Sequence, residues 1–272
     1  MLKKDIMDKI KRAILVVSFG TSYEETRKKN IERIEEDIRQ MYPGFCHYRA
    51  WTSGRIIRKL FQRDGIRIPD VRDAMEQMEA DGITEVIVQP THVINGIENE
   101  KMTEDILAYR DHFLKIIIVA PLLTTDEDRN HVIQVMAGAF RPDPKEALIF
   151  MGHGTEHFAN IVYGELDLLF KNMGHQNIFM GTVEAEPTVR SLVEKMKKLH
   201  YRKVILSPFM IVAGDHATND LAGDEQDSWK SIFEREGFEV SCVLKGLGEY
   251  EGIRQIFCGH VAESVRKLQE QI

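Results

Sequence analysis

EVIVQPTHVINGIE, Glu85 to Glu98, and KVILSPFMIVAGDH, Lys203 to His216, align without a gap, placing Pro90 on Pro208, Gly96 on Gly214 and Glu98 on His216. Each is a short apolar run followed by a loop that carries a glycine. VVSFGTS (Val16 to Ser22) and IFMGHGTE (Ile149 to Glu156) repeat the relation, with Phe19 at the place of His153 and Gly20 at that of Gly154. Both pairs preserve a strand, its exit loop and a glycine, so the chain reads as two copies of one α/β unit. The seam falls in FRPDPKEA, Phe140 to Ala147, whose prolines suit a linker. This sets an N-terminal α/β domain at 1–143 and a C-terminal α/β domain at 144–272. The last helix, near Tyr250 to Gln271, is left open between its own domain and a return to the first.

Further apolar runs complete the pattern: AILVVSF, KIIIVA, ALIFM, NIFMGT and EVSCVL. With the two runs above they read as fully buried parallel strands. Amphipathic stretches separate them. From Glu186 to Leu199, the residues Val189, Leu192, Val193, Met196 and Leu199 form one helical stripe, and PDVRDAMEQMEADG offers Pro69 for a first turn and Gly82 for a stop. The fold class expected is α/β: two similar doubly wound domains whose parallel sheets face a central cleft. Ligands of open α/β sheets bind beyond the carboxyl ends of the strands, which gathers the exit loops Ser18–Ser22, Gln89–Glu98, Gly152–His157, Thr182–Glu186 and Ser207–Asp220.

The chain has 272 residues, 43% of them hydrophobic and 29% charged, with a formal net charge of −7. That balance argues against nucleic acid or an anionic membrane as partner, because both need a basic surface. No apolar run reaches the length of a membrane span. The lysines ahead of Ala13 to Phe19 mimic a signal peptide, but no cleavage pattern follows, so the run reads as a first strand. Cys46, Cys242 and Cys258 are scattered and odd in number, which indicates neither a disulfide framework nor a zinc ribbon and suits a reducing cytoplasm.

His153 leaves an apolar strand between two glycines, which let the backbone turn sharply and leave room around the imidazole. His216 follows another strand and a glycine, with Asp215 or Asp220 placed to orient its ring. Glu184 follows a third strand. Two imidazoles and a carboxylate suit Co²⁺, Ni²⁺, Fe²⁺ or Zn²⁺ and leave coordination positions open. His157 is read as a residue beside the ligands or on the substrate side, since Gly154 argues against one helix under both histidines. His92, Glu98 and Glu100 stand on the matching loop of the first copy, where the two acids also suit a solvated helix start. Ser18, Thr21 and Ser22 form a small anion cradle or a simple helix cap. Arg55, Arg58 and Lys59 follow the cap residues Thr52 and Ser53 and could meet carboxylates or line a solvated face. No Walker A, G-x-G-x-x-G, G-x-S-x-G or H-E-x-x-H sequence occurs, so nucleotide, hydride, serine-hydrolase and zincin chemistries lack support.

ILVVSFGTSYEET, WTSGRIIRKLFQRDG, HVINGIENEK, APLL, FMGHGT, MIVAGDHATNDLAGDEQDSWK and GLGE closely resemble the anaerobic class II cobaltochelatases, the sirohydrochlorin cobaltochelatases of the early-insertion cobalamin pathway. The likeness runs through nearly the whole chain. It departs in an N-terminal extension of about ten residues, judged by where the first strand begins, and in Glu156, where a small polar residue is common. The resemblance implies the class II chelatase fold, with the metal site in the C-terminal domain on His153, Glu184 and His216, and acidic residues near the cleft at Glu98 and Glu100. It implies insertion of Co²⁺ into sirohydrochlorin or its precorrin-2 form, with His153, Glu184 and His216 binding metal and accepting pyrrole protons. Ser18, Thr21, Ser22, Arg55, His92, Glu98, Glu100 and His157 are then the substrate-side candidates. The substrate is a small tetrapyrrole, no organic cofactor is expected, and the location is cytoplasmic; the exported haem-binding variant is not expected. Two other readings stand beside it: a sirohydrochlorin ferrochelatase making sirohaem, and a non-catalytic tetrapyrrole or metal carrier. The oligomeric state is not legible.

Overall fold

The computed structural model describes residues 10–270. Most of the lysine-flanked start, residues 1–9, lies outside them, as do the last two positions. Strands β1 (Arg12–Ser18), β2 (Cys46–Trp51), β3 (Glu85–Pro90) and β4 (Lys115–Ile118) form a four-stranded sheet in the order β2-β1-β3-β4. Strands β5 (Glu146–Gly152), β6 (Ile178–Thr182), β7 (Lys203–Pro208) and β8 (Glu239–Cys242) form a second, in the order β6-β5-β7-β8. Every pairing is parallel. Val17 pairs with Pro90, and Met151 pairs with Pro208. The gapless sequence alignment sets Val17 on Met151 and Pro90 on Pro208, so the duplication holds down to individual residue pairs.

The central strands β1, β3 and β5 are buried along nearly their whole length, as parallel strands covered on both faces must be. Two runs depart from the full burial their composition predicts. β4 is half-buried throughout, and β8 alternates between exposed and half-buried. Both are edge strands, with one neighbour each and less cover. β2 has no counterpart in the sequence reading. Its sequence CHYRAW buries only Ala50 and Trp51, so its polar members hide the apolar signal.

Helix Val71–Ala80 is capped by Asp70, whose Oδ1 accepts from the Asp73 N–H at 2.9 Å, while Asp73 returns a bond to the Asp70 N–H. Pro69 therefore sits before the cap rather than in the first turn. Helix Val189–Lys198 starts at Thr188 and buries Leu192, Val193 and Met196. Leu199, placed by spacing on the same stripe, lies past the helix end and is 50% exposed. Each sheet has its own core: Leu15, Met75, Met78 and Val86 in the first, and Ile149, Phe179, Trp229 and Phe233 in the second.

The chain divides into two compact units, one running to Leu122 and resuming at Arg254, the other spanning Leu123–Ile253. Helix Asp126–Phe140 follows the first sheet in sequence yet belongs to the second unit, where Arg129 meets Glu165 at 2.9 Å and the Phe140 ring packs edge-on against Phe150. The final helix, Glu251–Gln269, passes at Arg254 into the first unit, where the Arg254 guanidinium meets Asp37 at 2.6 Å. In each case the helix that closes a unit is not the one its own copy supplies. Ile149→Ala at the centre of β5 is expected to cost about 2–5 kcal/mol of unfolding free energy in a denaturant titration, whereas Leu199→Ala costs less than about 0.5 kcal/mol.

Candidate metal centre

β5 releases His153 one residue past its end, between two glycines that the surroundings demand. A Cβ on Gly152 would collide with the Tyr163 ring. Gly154 has φ +84°, and a Cβ there would stand 2.8 Å from Thr182 Cβ and 2.9 Å from the Ala185 nitrogen. The glycines thus let the chain turn off the strand flush against its neighbours, which leaves the imidazole as the projecting group. Tyr163 is buried beneath this turn. Burial pushes its phenol up to about 12, against hydrogen bonds with the Gly154 and His153 backbone that pull it down.

The exit of β6 is stitched to the same turn. The N–H groups of Val183 and Glu184 donate to the His153 carbonyl at 3.1 and 2.9 Å. Asn160 closes the loop, its Oδ1 accepting from the Thr155 N–H at 3.1 Å and its Nδ2 donating to the Glu186 carbonyl at 2.9 Å. Glu184 Oε2 consequently lies 3.6 Å from His153 Nδ1. His216 arrives from β7 at the head of a π-helical turn, Ala217–Leu221. Its ring stands 4.7 Å from that of His153, nearly perpendicular.

One ligand atom from each of His153, Glu184 and His216 lies within 4.8 Å of the others. Hydrogen bonds set which imidazole nitrogens remain available. His216 Nδ1–H donates to Asp220 Oδ2 at 2.6 Å, and His153 Nδ1–H donates to the Gly154 carbonyl at 2.9 Å. Nε2 of each ring is then the free lone pair, and the Asp220 carboxylate fixes the orientation of the His216 ring. Side-chain exposures of 45%, 54% and 33% for His153, Glu184 and His216 leave the centre open to solvent, so an ion can enter and leave. A divalent ion bound here would keep open positions for exchange. Asp220→Asn is expected to weaken Co²⁺ binding roughly 10- to 100-fold in isothermal titration calorimetry, with the fold unchanged.

The other residues singled out from the sequence are outside this donor group. His157 caps a short turn, its Nδ1 accepting from the Ala159 N–H at 3.2 Å, and its ring packs on the exposed Phe158. In the first unit Ser18, Thr21 and Ser22 are buried, and two of their hydroxyls are engaged, one by the exit of β3 and one within the β1 exit loop. Thr91 donates to Ser18 Oγ at 2.8 Å, and Thr21 Oγ1 accepts from the Tyr23 N–H at 3.3 Å. Glu98 and Glu100 occupy the first turn of helix Ile97–Leu107, after Gly96. Arg55 is exposed in the first turn of helix Gly54–Asp64, whose cap is Ser53. Tyr163 and Asn160 were not found from the sequence. The only signal is indirect: Gly152 implies a bulky neighbour, and Val162, Tyr163, Leu166 and Phe170 mark a buried helix face.

Burial pushes the His92 imidazole down to about 4, against an upward pull from the Asn99 side chain. The unfolded chain takes up this proton near the usual 6.5, so between those values the unfolded state holds more protons. The stability tied to a neutral His92 is complete above about pH 6.5 and is lost as the pH falls through 4. His92→Gln is expected to flatten that limb by about 3 kcal/mol in urea titrations compared at pH 7 and pH 4.

Two parallel α/β sheets, one with an open His–Glu–His centre at three neighbouring strand exits, define a class II metal chelatase. The chain belongs to the cobalt chelatase (CbiK) family, whose model matches residues 12–266. It is 38% identical over 266 residues to the sirohydrochlorin cobaltochelatase of Salmonella typhimurium, covering 96% of this chain and 99% of that one. It is 30% identical over 266 residues to the sirohydrochlorin cobaltochelatase CbiKC of Nitratidesulfovibrio vulgaris, covering 96% and 93%. The fold is also that of SirB from Bacillus subtilis with Fe3+, at 13% identity and a TM-score of 0.67 over 96% of this chain and 98% of that one. SirB from the subspecies spizizenii in complex with cobalt gives a TM-score of 0.65 at 12% identity over the same shares. Among the described residues no helix is long and apolar enough to cross a membrane.

Proposed function

We infer that this chain is a sirohydrochlorin cobaltochelatase, a lyase-class enzyme that inserts Co²⁺ into the tetrapyrrole sirohydrochlorin in cobalamin biosynthesis. The observation that carries the reading is the convergence of His153, Glu184 and His216 donors within 4.8 Å at the exits of β5, β6 and β7. The identity to the Salmonella enzyme over 96% of this chain supports the choice of substrate.

Metal entry requires partial loss of the ion's water shell and departure of the pyrrole N–H protons. His216 binds Co²⁺ through Nε2, held by Asp220. Glu184 offsets part of the ion's charge, which lowers the cost of stripping water. His153, whose Nδ1–H is held by the Gly154 carbonyl, has a single lone pair on Nε2: it shares the ion until the pyrrole nitrogens take it, and then accepts one pyrrole proton there, the second passing to water. On the substrate side Arg55 meets a peripheral carboxylate, while the engaged hydroxyls of Ser18 and Thr21 support a role for them in shaping the β1 exit loop. A cytoplasmic location belongs to the same proposal, supported by the free thiols of Cys46, Cys242 and Cys258.

Anaerobic absorbance spectroscopy of sirohydrochlorin with the protein and Co²⁺ or Fe²⁺ tests this. Many turnovers above a protein-free control are expected, faster with Co²⁺. His153→Ala and His216→Ala should each lower kcat by roughly 100-fold or more while the circular dichroism spectrum is retained. Faster turnover with Fe²⁺ would reassign the enzyme to sirohaem formation. Tight binding without turnover would make it a carrier.

A further inference from the structure

β6 carries the chain to Glu184, yet it is an edge strand whose one neighbour in the sheet is β5. A slip of one residue would move it by about 3.3 Å and reverse its faces. That is nearly the whole 3.6 Å between Glu184 Oε2 and His153 Nδ1. What holds β6 from outside therefore decides whether the two donors meet.

The outer edge of β6 is occupied by side chains of helix Ile161–Asn172. Leu148 N–H bonds the Asn177 carbonyl, so the alternate residues Ile178 and Met180 turn their backbone groups away from β5. Asp167 Oδ1 accepts from the Met180 N–H at 3.0 Å, and Lys171 Nζ donates to the Ile178 carbonyl. The two side chains stand where a further strand would. Both are fixed in turn: Lys195 meets Asp167 at 3.1 Å, and the Lys171 ammonium lies 3.8 Å from the centre of the Phe179 ring. Burial pushes that ammonium down to about 8, so the tie is held against a desolvation penalty.

Tyr163, Asp167 and Lys171 follow one another at four-residue spacing and form a single ridge of the helix. The first member of that ridge reaches the other donor. Hydrogen bonds with the Gly154 and His153 backbone lower the pKa of the Tyr163 phenol. A bond that favours phenolate is one the oxygen accepts, so the N–H groups of both residues donate to it. Asn160, which precedes the helix, joins the two exits through Thr155 and Glu186. One helix thus grips the backbone that bears His153 and the strand that bears Glu184.

We propose that helix Ile161–Asn172 sets the spacing of His153 and Glu184, with Tyr163 and Asp167 as positioning residues that act through the His153 backbone and through β6. Distances along one helical ridge are fixed, so loosening either tie lets one donor move against the other. This rests on the chelatase reading above.

Three variants of the full chain test it. Tyr163→Phe keeps the ring and removes the oxygen, Asp167→Leu removes the acceptor beside β6, and Asp167→Asn restores an oxygen for the Met180 N–H. Each is followed by Co²⁺ titration, the ligand-field absorption of the bound ion, the imidazole resonances of the metal-free protein and the kinetics of insertion. Tyr163→Phe and Asp167→Leu are expected to weaken Co²⁺ binding and lower kcat roughly 10- to 100-fold, while KM for sirohydrochlorin changes less than about twofold. The ligand-field spectrum should change in both, and the His153 resonances should move in Tyr163→Phe, neither of which a mere loss of stability produces. Asp167→Asn should recover most of what Asp167→Leu loses. Folded Tyr163→Phe and Asp167→Leu proteins with wild-type affinity, spectrum and kcat would overturn the proposal and leave the chelatase reading standing. Should Asp167→Leu not fold, Tyr163→Phe decides. Absence of turnover in wild type would overturn the chelatase reading, and the Co²⁺ affinities and imidazole resonances would still decide the positioning.

Discussion

The convergence of His153, Glu184 and His216 depends on the register of β5 with its two neighbours. Met151 lies opposite Pro208, and Gly152 opposite Thr182, so three strands release their chains at one level of the second sheet. A one-residue slip of β5 would turn His153 to the other face of the sheet and put a glycine in its place. β5 is apolar on both faces, so the register is held by side-chain fit: Phe150 packs against Phe170 and Phe209, and Gly152 admits the Tyr163 ring.

Given that register, close packing does the rest. Tyr163 fills the space beneath Gly152, and Thr182 with the Ala185 backbone fills that beside Gly154. The imidazole projects because nothing else at the turn has room to. The backbone bonds from Val183 and Glu184 to the His153 carbonyl bring the carboxylate to the ring without a dedicated side-chain clamp. Only His216 is oriented by a charged partner, Asp220. The geometry of these three side chains is therefore set largely by backbone packing, which is stiff, and at His216 by a partly exposed hydrogen bond to a carboxylate, which is weak by itself.

The duplication was legible because both copies keep proline, glycine and apolar run at the same offsets, and those residues answer to backbone demands that survive divergence. His153, Glu184 and His216 stood out for the same reason, each following a buried strand at a place where open α/β sheets bind ligands. β2 was missed because four of its six residues are only half-buried, which leaves no continuous apolar run to read. β4 and β8 were read as fully buried strands because isoleucine and valine do not report how many neighbours a strand has. Tyr163 and Asn160 act through contacts that join separate segments, and no local pattern marks them.

By itself the sequence determined the α/β class, the doubling of the unit and the residue types able to hold a divalent ion, since each follows from hydrophobic period, turn chemistry and donor chemistry along the chain. The tertiary structure alone decided which helix closes which unit, which strands lie at the edges, which imidazole nitrogen stays free, and that Tyr163 fills the space beneath Gly152. Those outcomes depend on what distant segments place beside a residue, and spacing along the chain carries no record of it.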